Sequence, residues 1–165
     1  MKRVIGMDIH RTFAEVVIWE AGQLRPAGRV DMSRAGLEGF GRTLSKEEWT
    51  HEAHLAATTY LLLRRPDVNL DLELPGIIRR FNESVGGVNS DSEGYHETIT
   101  RAFLRAVRLF LAEADPKAPL HELVNELLLS PMGRRDWPLR FYSRELLFSI
   151  EARRNFVEPD VAAFP

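Results

Sequence analysis

The spacing of hydrophobic residues divides the chain into two parts that meet near residue 45. Before that point, apolar residues come in short runs rich in Val and Ile, and Gly22 marks a turn; this pattern is typical of β-strands. Ser33 can cap a short helix that ends near Leu44. The first part therefore predicts three antiparallel-type strands followed by a helix, with the strands at 3–9, Phe13–Trp19 and Leu24–Met32.

From Ser45 onward the hydrophobic period is that of α-helices. The sequence "SKEE" is a capping box, in which the Ser45 hydroxyl accepts from the amide of Glu48 and the Glu48 side chain reaches back. Apolar residues at helical spacing, interrupted by glycine and proline, predict a bundle with helices at 45–64, 70–84, 92–114 and 119–129 and short pieces such as 143–149. We therefore expect two domains, residues 1–44 and residues 45–165.

Composition narrows the function classes only slightly. The chain has 165 residues, a net charge of −2 and no cysteine, so disulfides and thiolate metal sites are excluded. Its overall charge favours neither nucleic acid nor a membrane surface. No apolar run has membrane-spanning length, and the first residues lack a signal-peptide pattern. We therefore expect a cytoplasmic protein that does not associate with a membrane.

Asp8 lies inside the apolar run "VIGMDI", where a buried and unpaired carboxylate costs several kcal/mol. The stretch "VIGMDIHRTFAEVVIWEAG…MSRAGLEGFGRTL" resembles the amino-terminal end of the DEDD-type insertion-sequence transposases, the group related to the Piv site-specific invertases. The resemblance covers residues 1–44. It implies a ribonuclease H-like fold with Asp8 as the first of four acidic ligands, and Mg²⁺-dependent cleavage and strand transfer on DNA.

After Leu44 the chain departs from that family. The family continues into another strand with a second acid, and two aspartates follow later, whereas here the capping box and its helix begin. One carboxylate cannot hold the two ions that this chemistry needs. We therefore expect an α+β protein, in which a three-strand-plus-helix remnant of a ribonuclease H-like fold precedes a mainly α helical bundle. Its function would be that of a truncated or chimeric, catalytically incomplete transposase-like protein, and its uncovered strand edges favour self-association.

Three histidines lie on helix faces that are otherwise predicted to be core. His51 and His54 are three residues apart in one predicted helix, and His96 lies near the start of another. In an up-down-up bundle these two helix ends meet, with Glu97 nearby. Three imidazoles and a carboxylate suit Zn²⁺, Fe²⁺ or Ni²⁺. The alternatives are a metal- or small-ligand-binding bundle, or histidines that hydrogen-bond to other groups, cap helices and fix the helix register.

Two residues near the C-terminal end are candidates for a ligand pocket. Tyr142 and Arg140 in "PLRFYS" can bring a phenol and a guanidinium to one pocket, or Tyr142 can be packed and hydrogen-bonded. Residues 45–158 are also similar to a group of uncharacterised bacterial proteins, which supports an independent domain and indicates no activity. The arginine pairs are scattered over several elements, as is typical of solvated faces. A non-catalytic interaction scaffold is the remaining interpretation.

Overall fold

The structure, a computed structural model, describes the backbone of three strands and, with side chains, residues 50–84 and 86–165. The chain divides into two compact units, Met1–Glu48 and Trp49–Pro165. The first contains the strands β1 (Val4–Ile9), β2 (Phe13–Glu20) and β3 (Gln23–Asp31). The second contains two 3₁₀ turns, Pro131–Gly133 and Trp137–Arg140, and the helices α1 (His51–Arg64), α2 (Leu70–Ser84), α3 (Glu97–Glu113), α4 (Leu120–Leu129), α5 (Arg144–Leu147) and α6 (Ile150–Arg154).

The three strands form an antiparallel meander in the order β1-β2-β3. The Val and Ile content of β1 and β2 favours extended backbone. In the register, Asp8 of β1 is the partner of Glu15 of β2, which in turn is the partner of Arg29 of β3. The pairing of β2 with β3 shifts between Val16 and Val17.

The α+β fold class expected from the sequence is wrong. Residues 50–84 and 86–165 are 63% helical and contain no strand, so the body whose side chains are described is all-α. A meander of three antiparallel strands is a local motif that needs only two short turns and occurs in many folds, so it does not establish a ribonuclease H-like remnant. The short helix expected after Ser33 and the capping box at Ser45 lie outside the described residues.

The helical bundle predicted for the second unit is confirmed, with changes at the helix ends. Helix α3 starts later than predicted, at Glu97, because Gly94 adopts a φ of +77° and any Cβ on it would collide with the Val88 carbonyl oxygen. His96 then provides the N-cap of α3, as Thr50 does for α1. Helix α3 has 17 residues, and no helix among the described residues is both long and apolar enough to cross a lipid bilayer.

Helix α3 carries the hydrophobic core of the second unit. Its small residues Ala102 and Ala106 pack against aromatic side chains from the C-terminal part of the chain. On its other sides, Val107 meets α1 and α4, and Leu104 meets α2. The buried residues that these clusters gather around α3 are Leu55, Leu70, Leu74, Leu127, Trp137, Phe141, Tyr142 and Leu147.

The last residues of the chain run back along α3 without regular secondary structure. Thr98, which is fully buried in α3, donates its Oγ1 to the Asn155 carbonyl at 2.8 Å and accepts from the Val157 amide at 3.2 Å. The Tyr142 hydroxyl donates to the Val157 carbonyl at 2.9 Å. These bonds satisfy main-chain groups that the irregular segment cannot pair within itself.

Candidate functional site

His96 is hydrogen-bonded through both ring nitrogens. Its Nδ1 accepts from the Ile99 amide at 3.3 Å, which caps α3, and its Nε2 donates to the Leu147 carbonyl at 2.9 Å. Burial lowers the pKa of this imidazole, and the positive charge of Arg153 lowers it further. In this neutral tautomer His96 has no lone pair left for a metal ion.

The two histidines of α1 lie in its first turn. His51 donates a hydrogen bond from Nε2 to the Gly133 carbonyl at 2.9 Å. Its ring forms a T-shaped contact with the Phe103 ring, with 4.7 Å between the two centroids. Burial, together with a smaller effect of charge on His51, lowers the pKa of His54 to about 4. The His51 imidazole therefore belongs to the packing of α1 against its neighbours.

Glu97 lies between two donors at the start of α3. The Tyr95 hydroxyl donates to it at 2.6 Å, and Arg101 donates its Nε at 2.7 Å. Burial raises the pKa of the Tyr95 phenol, and the neighbouring Glu97 carboxylate raises it further. Glu97 is thus held in a hydrogen-bonded ion pair.

The predicted histidine site does not fit a Zn²⁺ or Fe²⁺ ion as these side chains are arranged. In residues 50–84 and 86–165, no three His, Asp or Glu side chains are grouped so that they could hold a metal ion. His51 and His96 bond instead to main-chain carbonyls, as in the hydrogen-bonding alternative considered from the sequence. For Mg²⁺, the predicted ligand Asp8 lies in β1, and its side chain is outside the described part of the chain.

Tyr142 and Arg140, the residues of the predicted ligand pocket, lie in different surroundings. Tyr142 is only 1% exposed, and burial raises the pKa of its phenol to about 12. Arg140 is exposed at the end of the second 3₁₀ turn. The packed and hydrogen-bonded alternative therefore describes Tyr142.

A groove of about 460 Å³ lies along one face of α3 and is lined by several charged side chains. Three of its side chains, Arg101, Arg105 and Arg108, come from α3 at positions i, i+4 and i+7, which one helix face presents together. The other residues that line it are Asp71, Leu104, Phe156 and Phe164. Three guanidinium groups thus face one carboxylate across partly apolar walls. We call this feature the arginine groove.

Asp71 forms ion pairs with two of the three arginines of the groove. It accepts two bonds from Arg108, at 2.9 and 2.7 Å, and lies 3.6 Å from Arg101. The hydrogen bond from Arg108 and the charges of both arginines lower the pKa of the Asp71 carboxyl. Arg101 also binds Glu97, so neither Arg101 nor Arg108 is fully available.

Arg105 is the arginine of the groove without a carboxylate partner among the described side chains. Its Nη2 donates one hydrogen bond to the backbone oxygen of Pro165 at 3.0 Å. Its guanidinium carbon lies 5.0 Å from the centroid of the Phe164 ring, within the range of a cation–π contact. A guanidinium has five N–H donors, so Arg105 retains donors for another acceptor.

The arginine groove is absent from the sites predicted from the sequence. Its signal is the stretch "RAFLRAVR", whose arginines share one helix face, whereas adjacent arginine pairs point in different directions. Phe156 and Phe164 reach the groove from the irregular C-terminal segment and carry no comparable pattern. No protein-family model, curated protein or solved structure matches this chain, so the groove is interpreted from its own geometry.

Proposed function

We propose that the helical unit Trp49–Pro165 is a non-catalytic binding module that holds an anionic group of its ligand in the arginine groove. The observation that carries this proposal is Arg105, a guanidinium at the groove whose bonds among the described residues are to one backbone oxygen and one ring. Planar guanidinium groups bind carboxylate and phosphate oxygens with two parallel N–H donors. An anion at Arg105 would use donors that the described residues leave available.

The electrostatics of the groove support an anionic ligand. Three arginines and one aspartate line it, which gives the lining side chains a formal charge of +2. Leu104, Phe156 and Phe164 supply apolar walls, which strengthen the field of the guanidinium groups relative to bulk water. Arg101 and Arg108 contribute charge to this field even while they are bound to Asp71.

Titration with inorganic phosphate tests the proposal. One or two charge-assisted hydrogen bonds predict a Kd on the order of 1 mM at low ionic strength, and added salt weakens the binding. Calorimetry, or chemical-shift changes of the arginine Nε–H signals, would measure it. The variant Arg105→Gln removes the central guanidinium and should lower phosphate affinity by at least about tenfold.

Arg134→Gln is the matched control for that titration. Arg134 is exposed, is paired with Asp136 at 2.9 Å and does not line the groove. Its replacement removes the same charge from the chain and should leave phosphate affinity unchanged. Equal losses in both variants would mean that binding follows net charge, and the proposal would then be rejected.

A further inference from the structure

We infer that the ligand of the arginine groove carries an aromatic ring beside its anionic group, and that the chain's own Phe164 and Pro165 occupy these two positions when the ligand is absent. This inference rests on the proposed function, because it names the class of compound that the same groove would take. The class is an aromatic carboxylate.

An aromatic slot already exists beside Arg105. The Phe164 ring lies 4.5 Å from Phe141 and 5.7 Å from Trp137 between centroids, and the Trp137 contact is stacked. Tyr142 completes the slot at 5.8 Å. These three residues are buried, whereas Phe164 is only partly buried against them. The slot is therefore part of the fixed core, and Phe164 is its outermost ring.

The backbone bonds of the C-terminal segment end before Phe164. The amides of Val161 and Ala162 both donate to the Phe141 carbonyl, at 2.9 and 3.3 Å. Among the described residues, the hydrogen bond beyond Ala162 is that from Arg105 to Pro165. Ala163 to Pro165 can therefore turn away from the groove without breaking a backbone–backbone hydrogen bond.

A ligand with a ring and a carboxylate would replace the contacts of this segment one for one. Its ring would stack on Trp137 in place of Phe164, and a carboxylate oxygen would replace the backbone oxygen of Pro165 at Arg105. The exchange thus keeps both the ring contact and the bond to Arg105, and a ligand carboxylate can accept from two parallel N–H donors of that guanidinium.

Three probes separate the ring from the charge: acetate, N-acetylphenylalanine and N-acetylphenylalaninamide. Acetate has the carboxylate alone, the amide has the ring alone, and N-acetylphenylalanine has both. We expect N-acetylphenylalanine to bind at least about tenfold more tightly than either of the others. The indole N–H signal of Trp137 in the native chain should shift with N-acetylphenylalanine and remain in place with acetate.

The variant Phe164→Ala tests whether this ring occupies the ligand's position. Removing a competing ring should tighten N-acetylphenylalanine binding by several-fold, whereas removing a wall of the groove would weaken it. Phe148→Ala is the control, since Phe148 is 53% exposed and does not line the groove. Circular dichroism melts would show that both variants remain folded, and the Trp137 signal tests the native chain without any substitution.

The outcomes distinguish the two proposals. Equal affinities for acetate and N-acetylphenylalanine, or weaker binding in Phe164→Ala, would overturn this inference, while phosphate binding that depends on Arg105 would still support the proposed function. If neither phosphate nor any carboxylate bound at Arg105, the proposed function itself would fail and the inference with it.

Discussion

At the scale of single residues, His54 of α1 couples the stability of the helical unit to pH. Burial lowers the pKa of His54 to about 4, whereas an unfolded chain has its ordinary value near 6.5. Between these values the unfolded chain binds a proton that the folded chain does not, so stability falls as the pH decreases. We expect a loss of about 1–2 kcal/mol between about pH 7.5 and about pH 5, measured by urea unfolding.

The variant His54→Gln should flatten this pH dependence. The pH dependence of stability that remains in this variant would come from His96, whose pKa is also lowered by burial. His121→Gln is the matched control, because the side chain of His121 is exposed. A profile that is equally steep with and without His54 would show that this imidazole is not responsible.

The Asp71 carboxylate limits the affinity of the arginine groove for anions. Its carboxylate binds Arg108 and lies near Arg101, so Asp71→Asn would remove the competing charge from two guanidinium groups. We expect phosphate affinity to rise about fivefold, which corresponds to about 1 kcal/mol for a partly exposed charge. The same titration measures it, with Asp136→Asn as a control outside the groove. Unchanged or weaker binding in Asp71→Asn would contradict this role.

At the scale of elements, one side chain joins α3 to the irregular C-terminal segment. Thr98 is fully buried and bonds two main-chain groups of that segment, the Asn155 carbonyl and the Val157 amide. Thr98→Val keeps the side-chain shape and leaves both groups without their partner. We expect a loss of about 2–3 kcal/mol in the free energy of unfolding, measured with urea.

Thr59→Val provides the comparison for that experiment. Thr59 is also fully buried, but its Oγ1 donates to the Leu55 carbonyl within α1, an oxygen that the helix itself already bonds. Its replacement should cost less than about 1 kcal/mol. If both variants were equally destabilised, the cost would come from changing a buried threonine and not from separating α3 and the segment.

The elements that the sequence predicted correctly are those whose signals are local. Helices α2 and α4 lie near the predicted ranges because their apolar spacing and the residues that end them are close together in the chain. His51 and His54 lie in the first turn of α1 and His96 caps α3, and His51 and His96 bond to carbonyls 82 and 51 residues away. Because every residue offers the same carbonyl group, the sequence pattern contains no sign of such a partner.

The same limit explains which part of the arginine groove could have been predicted. The three arginines of α3 follow from helical spacing alone. Phe164 reaches them through an irregular segment whose path is fixed by main-chain bonds to Phe141 and Thr98, and no repeating pattern encodes such a path. A charged helix face was therefore predictable, whereas its combination with an aromatic slot was not.

At the scale of the whole molecule, the resemblance of residues 1–44 to transposases remains a prediction with a definite test. It implies Mg²⁺-dependent cleavage of DNA through Asp8, yet two-ion chemistry requires several carboxylates. We expect the full chain to leave supercoiled DNA intact in the presence of Mg²⁺, as judged by gel electrophoresis. Cleavage that is present in the native chain and lost in Asp8→Asn would contradict the expectation of an incomplete site.

The organisation of the second unit predicts that it folds without the residues before it. Among the described residues, the hydrophobic clusters and the hydrogen bonds of His51, His96 and Thr98 join residues within Trp49–Pro165. Because a cooperative transition requires a core that is complete in itself, a chain shortened to Ser45–Pro165 should melt in one transition.

Sedimentation of the same shortened chain tests the self-association expected from strand edges, because that chain lacks β1 to β3. If the edges are responsible, the full chain associates and the shortened chain remains monomeric. A shortened chain that melted broadly would mean that the first 44 residues complete the helical core, and the arginine groove would then have to be studied in the full chain alone.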